Sequence, residues 1–261
     1  MIGVGYRQEL AKWIATRPRE IECLEITAEH FYDQPIEPLQ ELRRAYPLFV
    51  HGLGLSLGTP GPLDPYALSR FKKVVEAAHP LWISEHVAFT RTSEVDLGHL
   101  NPVVPSRETL NFFSQHAREL SDCCEKPLIL ENITSHLRLT GDLSESEFLN
   151  ELCQSADCGV LLDVTNLFIN SRNHDFDPLK WLDQLDCTRI VQLHIVGYSQ
   201  ENGRYVDGHA EGIQDDLLSL LSEVLRRAPV RAVILERDHS FPSDATIGAE
   251  LNRISKVFHA H

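Results

Sequence analysis

Gly159-Val160-Leu161-Leu162-Asp163 is an apolar run of strand length that ends on a carboxylate. It lacks polar alternation, so neither of its faces is expected to meet water, which suits a parallel strand covered by helices on both sides. Before it stands the amphipathic stretch Glu145 to Ala156, introduced by Ser144-Glu145-Ser146-Glu147, a cap with a Glu three residues on. The same unit recurs in both directions. Ile2 to Gly5, Ile21 to Ile26, Leu48 to His51, Leu81 to Ser84, Pro127 to Leu130, Ile190 to Leu193 and Ala232 to Leu235 complete a set of eight strand-like runs. Helical spacing fills the intervals, as in Arg7 to Ala15, Pro65 to Ala78, Arg107 to Cys124, Asp215 to Arg227 and Ile247 to His259. Eight units of about 33 residues predict an α/β fold of the (βα)8 TIM-barrel type. No linker, charge run or low-complexity segment divides residues 1–261, so one barrel domain is expected.

The longest irregular stretches, Leu53 to Asp64, Val87 to Pro105, Phe168 to Asp177 and Gly197 to Gly212, all follow strands. In a barrel those loops gather on the C-terminal face, where sites are built. Composition narrows the chemistry. With 38 Asp and Glu against 24 Lys and Arg, the net charge of −14 argues against nucleic acid as a partner. No apolar run approaches the ~20 residues of a membrane span, and no signal segment opens the chain. The six cysteines form no CxxC pair, so a reducing cytoplasm is the expected setting and each thiol reads as a small buried hydrophobe.

The polar residues that end the strands carry the functional signal. His51, His86, Glu131, Asp163, His194 and Glu236 each close or directly follow an apolar run, and Asp207 and His209 flank Gly208 in a following loop. Strand ends converge at one mouth. Four carboxylates gathered there would repel strongly at the dielectric of a protein interior, so protons or cations must intervene. Imidazole mixed with carboxylate suits iron, manganese or zinc better than magnesium or calcium. The donors outnumber the needs of one ion, which points to two or three ions with Glu131 as the bridge. Glu25 and Glu29, near the end of the second strand, are candidates to orient the ligands. His116 lies in a helical stretch and reads as a surface or packing residue. The glycines of Leu53-Gly54-Leu55-Ser56-Leu57-Gly58 would let backbone approach an anion, although a flexible loop explains them equally well. Gly3-Val4-Gly5 lacks the third glycine of a dinucleotide fingerprint, and P-loop, GxSxG and HExxH motifs are absent.

These motifs, taken in order, resemble those of the multinuclear non-haem iron-dependent oxidative enzymes. The matching segments are Gly3-Val4-Gly5-Tyr6-Arg7, Glu25 through Phe31, His51 through Gly58, Ser84-Glu85-His86, Leu130-Glu131-Asn132, Leu161 through Asn166, His194-Ile195-Val196-Gly197, Asp207-Gly208-His209 and Glu236-Arg237-Asp238. The resemblance implies a xylose-isomerase-like barrel holding two or three irons in mixed Fe(II) and Fe(III) states, with O2 as co-substrate. Carried over by motif, His51, His86 and Glu131 hold one ion, Asp163, His194 and Glu236 the central one, and Asn166, Asp207 and His209 a third. Asn132, Glu25 and Asp238 would orient those ligands. Departures from the pattern are His30 where many relatives have Asn, Ile195-Val196 after the histidine, and Gly208 in place of a frequent Thr.

The resemblance further implies modification of a cysteine in a ribosomally made precursor peptide. The chemistry expected is β-carbon excision as on the 3-thiaglutamate route, or the oxazolone and thioamide type of methanobactin. It also implies a small partner protein that grips the peptide leader, because eight βα units leave no segment here for that task. Loops Val87 to Pro105 and Phe168 to Asp177 are the expected contacts. The competing readings are a divalent-metal hydrolase or isomerase on the same barrel, such as an endonuclease IV-like phosphodiesterase or a sugar isomerase, and a metal-binding subunit that only docks a partner.

Overall fold

The computed structural model describes residues 1–92 and 94–261; Ser93, within the expected 87–105 loop, lies outside the described residues. The element order is β1 (Ile2–Gly5), α1 (Ala11–Ala15), β2 (Cys23–Thr27), α2 (Glu37–Ala45), β3 (Leu48–His51), α3 (Pro65–Ala78), β4 (Ile83–His86), β5 (Ala88–Arg91), β6 (Asp96–Pro102), α4 (Arg107–Cys124), β7 (Leu128–Glu131), α5 (Glu145–Ala156), β8 (Gly159–Asp163), α6 (Val164–Asn173), α7 (Pro178–Gln184), β9 (Ile190–Ile195), β10 (Gly197–Glu201), β11 (Arg204–Glu211), α8 (Asp215–Leu225), β12 (Ala232–Leu235) and α9 (Asp244–Phe258). Strands β1, β2, β3, β4, β7, β8, β9 and β12 are hydrogen-bonded in parallel into a closed barrel. The barrel expected from the eight apolar runs is therefore the fold.

Strand alternation builds two cores. Side chains such as Leu48, Val50, Leu128, Leu130, Val160 and Leu162 point outward and pack under the helices. Cys23, Phe49, Trp82, Ile129, Leu161, Ala232 and Ile234 point inward and fill the lower half of the barrel. His51, Glu131, Asp163 and Glu236 lie two residues beyond one of these inward positions, His86 four beyond Trp82, and His194 beside Ile234 on the next strand, so all face the same interior. Gly3 is demanded by this closure, since a Cβ there would lie 2.3 Å from the Cys23 carbonyl oxygen.

Two expected irregular stretches contain hairpins. Antiparallel pairs β5–β6 and β10–β11 stand on the C-terminal face and remain outside the barrel sheet. The stretch expected to be irregular at 168–177 is corrected: α6 begins directly after β8 and runs to Asn173, with Phe168 to Ser171 buried. Asp163 makes this possible, because its Oδ1 accepts from the Asn166 amide at 2.6 Å and caps the helix as the strand ends. Of the two readings of His116, surface or packing, packing is the one that holds. The side chain is buried in α4, with its ring nitrogens 2.8 Å from the Leu57 carbonyl oxygen and 2.6 Å from that of Gly61, and so pins the loop after β3.

Candidate metal centre

Register brings the polar ends together. Thr27 pairs with His51, His51 with Ser84, His86 with Glu131, and Asp163 with His194 along neighbouring strands. Among the described residues, three sets of side chains place one donor atom each within 4.8 Å of one another: His51, His86 and Glu131; Glu131, Asp163, His194 and Glu236; and His209, Glu236 and Asp238. Glu131 belongs to two sets and so does Glu236. The clusters thus form a chain joined at two shared carboxylates.

The histidines are held from behind. His51 turns Nδ1 to Ser84 Oγ at 2.8 Å and presents Nε2 to Glu131 Oε2 at 3.3 Å. His86 sets Nδ1 3.4 Å from Glu85 Oε2 and Nε2 3.3 Å from the same Glu131 oxygen. His194 places Nε2 2.7 Å from Glu25 Oε1, leaving Nδ1 at 2.9 Å from Glu131 and 3.0 Å from Glu236. In each ring one nitrogen faces the cluster while the other is oriented by a neighbour, which is how metal-binding imidazoles are fixed.

The third set departs from the arrangement carried over by motif. His209 stands between Asp207, 2.9 Å from its Nε2, and Asp238, 3.0 Å from its Nδ1. Asp238, expected only to orient ligands, therefore offers an oxygen as near as that of Asp207. Arg7 donates through Nε to Asp238 Oδ1 at 2.9 Å. His209 adopts a left-handed backbone with φ of 48°, uncommon for a residue other than glycine and a conformation that concentrates at functional sites. Asn166 is oriented by the Asn132 carbonyl, to which its Nδ2 donates at 3.1 Å. Asn132 in turn bonds both backbone groups of Asp163. Glu29 is placed elsewhere: it accepts from the Leu53 and Gly54 amides at 3.0 and 2.9 Å, while Glu85 accepts from Leu55. Carboxylates already occupy the Leu53, Gly54 and Leu55 amides of the glycine-containing loop, so those amides are not left for an anion.

Protonation follows the crowding of charge. Burial opposes a charged His86, yet the Glu131 and Glu85 carboxylates outweigh it and lift the imidazole to about 9. Burial likewise opposes the charge on His209, but Glu236, Asp207 and Asp238 raise it to about 12. Burial, then Asp207 and Glu131, push Asp163 well above the carboxylate range. Against burial, His194 and His209 hold Glu236 well below that range. The carboxylates thus draw positive charge from whatever can carry it.

The donor set fits metal ions on a direct test. His51 Nε2, Glu131 Oε2, Asp163 Oδ2, Asn166 Oδ1, Asp207 Oδ1 and His209 Nδ1 are buried without a hydrogen-bond partner among the described residues. Each such atom costs about 1–3 kcal/mol unless something else satisfies it. All are acceptors or imidazole nitrogens, and a cation is the partner such atoms share. A cavity of about 510 Å³ reaches Glu236 and Asp238 between Tyr6, Arg7, His30 and Phe31.

A family model described as RiPP precursor modification enzyme MbnB/TglH/ChrH matches residues 1–259. A protein described as UPF0276 from Chromobacterium violaceum is 32% identical over 258 residues, covering 98% of this chain and 94% of its own length. A UPF0276 protein of Shewanella oneidensis is 30% identical over 262 residues, covering 97% and 92%. Among solved structures, endonuclease IV from Thermus thermophilus superposes with a TM-score of 0.65 at 17% identity, covering 100% of this chain and 99% of that one. D-psicose 3-epimerase gives 0.58 at 12% identity, covering 99% and 96%. These structures place the chain among xylose-isomerase-like barrels; at such identities the likeness is one of fold alone.

Proposed function

Because the chain belongs to the MbnB/TglH/ChrH family of RiPP precursor modification enzymes, we propose that it is an iron-dependent oxidase or oxygenase acting on a cysteine of its precursor peptide. The observation that carries the reading is the chain of three donor sets joined at Glu131 and Glu236. That layout suits two or three ions bridged by carboxylate. His51, His86 and Glu131 would hold one, Glu131, Asp163, His194 and Glu236 the next, and His209 with Glu236, Asp207, Asn166 and Asp238 the third. Iron bound there supplies sites for a thiolate and for O2, and so couples oxidation of the cysteine to reduction of oxygen, by β-carbon excision or by oxazolone and thioamide formation.

The protein's own part is positional. Ser84, Glu85 and Glu25 fix the imidazoles, the apolar layer beneath keeps water from the lower barrel, and the cavity beside Glu236 offers room for the peptide's cysteine. Peptide delivery is assigned to a small leader-binding partner, forming a heterodimer. The exposed apolar side chains Val95, Val104 and Leu137 on the C-terminal face support a docking surface around the β5–β6 hairpin. Residues 168–177 contribute less than their sequence suggested, since the first four of them are buried in α6.

Metal analysis after anaerobic purification tests the reading. Two to three irons are expected, and Glu131→Gln should remove more than one of them, because that residue serves two sets. Retention of full iron by a folded Glu131→Gln protein would refute the bridge. The hydrolase and isomerase alternatives have only the fold behind them. Efficient turnover of a phosphodiester or a sugar by zinc-loaded, iron-free protein would establish one of them instead.

A further inference from the structure

Below the candidate metal centre the barrel interior is mostly apolar, and apart from Ser84 behind His51 its polar groups run along one line. Gln192 lies two residues before His194 on β9, faces the same interior and is fully buried. A buried carboxamide is costly unless each end is bonded, and here each end is. Trp82 Nε1 donates to Gln192 Oε1 at 2.7 Å. Gln192 Nε2 then donates to Glu25 Oε2 at 2.5 Å, and the other Glu25 oxygen lies 2.7 Å from His194 Nε2.

The chain has one direction. An indole nitrogen can only donate, so it claims the amide oxygen and turns the amide nitrogen toward Glu25. The carboxylate receives that donor on one oxygen and faces His194 Nε2 with the other, and Gln192 Nε2 itself lies 3.1 Å from the same ring nitrogen. Nδ1 of His194 is thereby the nitrogen left facing Glu131 and Glu236, at 2.9 and 3.0 Å. The indole is itself packed on both sides, stacked on Phe49 at 4.2 Å between ring centroids and approached by the Arg231 guanidinium at 4.8 Å.

We infer that Trp82 and Gln192 are positioning residues that, through Glu25, select the nitrogen His194 offers to the central metal. The inference rests on the metal reading above and extends it to side chains that touch no ion. It explains why two polar groups interrupt a layer otherwise made of Cys23, Phe49, Ile129, Leu161, Ala232 and Ile234. A satisfied pair with only a packing role would leave metal binding unchanged when replaced by apolar side chains of similar shape.

The test uses Co(II) as probe, titrated anaerobically into metal-free protein and followed by visible absorption, with thermal melting as the check on folding. Wild type, Trp82→Phe, Gln192→Leu and the double variant are compared. In the double variant no indole N–H is left without an acceptor, so damage from an unpaired buried donor is removed. Loss of an orienting partner typically weakens metal affinity by about 10–100-fold, and that loss is expected for one Co(II) equivalent in Gln192→Leu and in the double variant, with an altered visible spectrum. Trp82→Phe, the mildest change, is expected to weaken the same equivalent several-fold. A folded double variant, or failing that a folded Trp82→Phe, with wild-type Co(II) affinity and spectrum would overturn the inference while leaving the metal centre standing. Wild-type protein that binds no Co(II) would instead sink the metal reading itself.

Discussion

Arg237→Met should cost about 3–5 kcal/mol, the usual penalty for removing one partner of a buried ion pair. Arg237 follows the ligand candidate Glu236 and points away from the metals. Its guanidinium donates to the Ala210 carbonyl, to the Glu211 carbonyl at 2.9 Å and to Glu250 Oε2 at 3.1 Å. Glu250 also accepts from the Ile213 amide at 3.1 Å. Both charged groups are buried, at 4% and 6% exposure, so screening by water is slight. The pair clamps the point where β11 leaves its hairpin, three residues after Asp207. In the single variant the Glu250 carboxylate stays buried without its counter-charge, and two backbone carbonyls lose a donor. Arg237→Met combined with Glu250→Leu removes the orphaned charge and should recover most of the loss, leaving about 1–3 kcal/mol for the unpaired backbone groups. Urea unfolding of metal-free protein reads both values as midpoint shifts at constant slope. A double variant as unstable as the single one, or a single variant within about 1 kcal/mol of wild type, would refute the assignment of the energy to the buried charge.

Metal uptake should be pH-dependent with a defined sign. His86 at about 9 and His209 at about 12 are protonated in metal-free protein at pH 7, so an ion must displace protons to bind. Affinity for a divalent metal is expected to rise between pH 6 and pH 9, and calorimetry in buffers of different ionisation enthalpy should register proton release; equal affinity across that range would contradict the assignment. His116→Phe should cost about 1–3 kcal/mol by leaving the Leu57 and Gly61 carbonyls unpaired. Elemental analysis of that variant should give the wild-type metal count, and a loss of metal would show that the loop it pins belongs to the centre.

The strands were legible because each is largely buried on both faces and most stop on or just before a charged or polar residue, a contrast that survives without any alignment. The ends of β3, β7 and β8 are read to within one residue, and those of β4 and β9 to within two. Asp163 misled the reading of the residues after it: an acid after an apolar run looks like the start of a loop, whereas here it caps a helix whose polar Asn166, Asn170 and Ser171 turn inward. The hairpins escaped because strands such as Asp96–Pro102 lie mostly in contact with water and lack a buried stripe. Asp207-Gly208-His209 was visible as a pair of donors, but the approach of Asp238 depends on the clamp between β11 and β12. Gln192 and Trp82 carry no signal at all in one dimension, since their meaning lies in a hydrogen bond between residues 110 positions apart.

The apolar layer formed by Phe49, Trp82, Ile129, Leu161 and Ile234 makes the barrel a blind chamber, closed at its floor and open at one end. Entry and departure then use the same doorway. A precursor peptide cannot be threaded through such a chamber like a string through a bead; it can only dip a tip or a tight bend into it and withdraw along the path it came. Whatever small reactant is needed must be inside before the peptide plugs the opening, or must pass beside it. The floor that stiffens the fold therefore also sets traffic: whatever enters the chamber leaves by the same mouth.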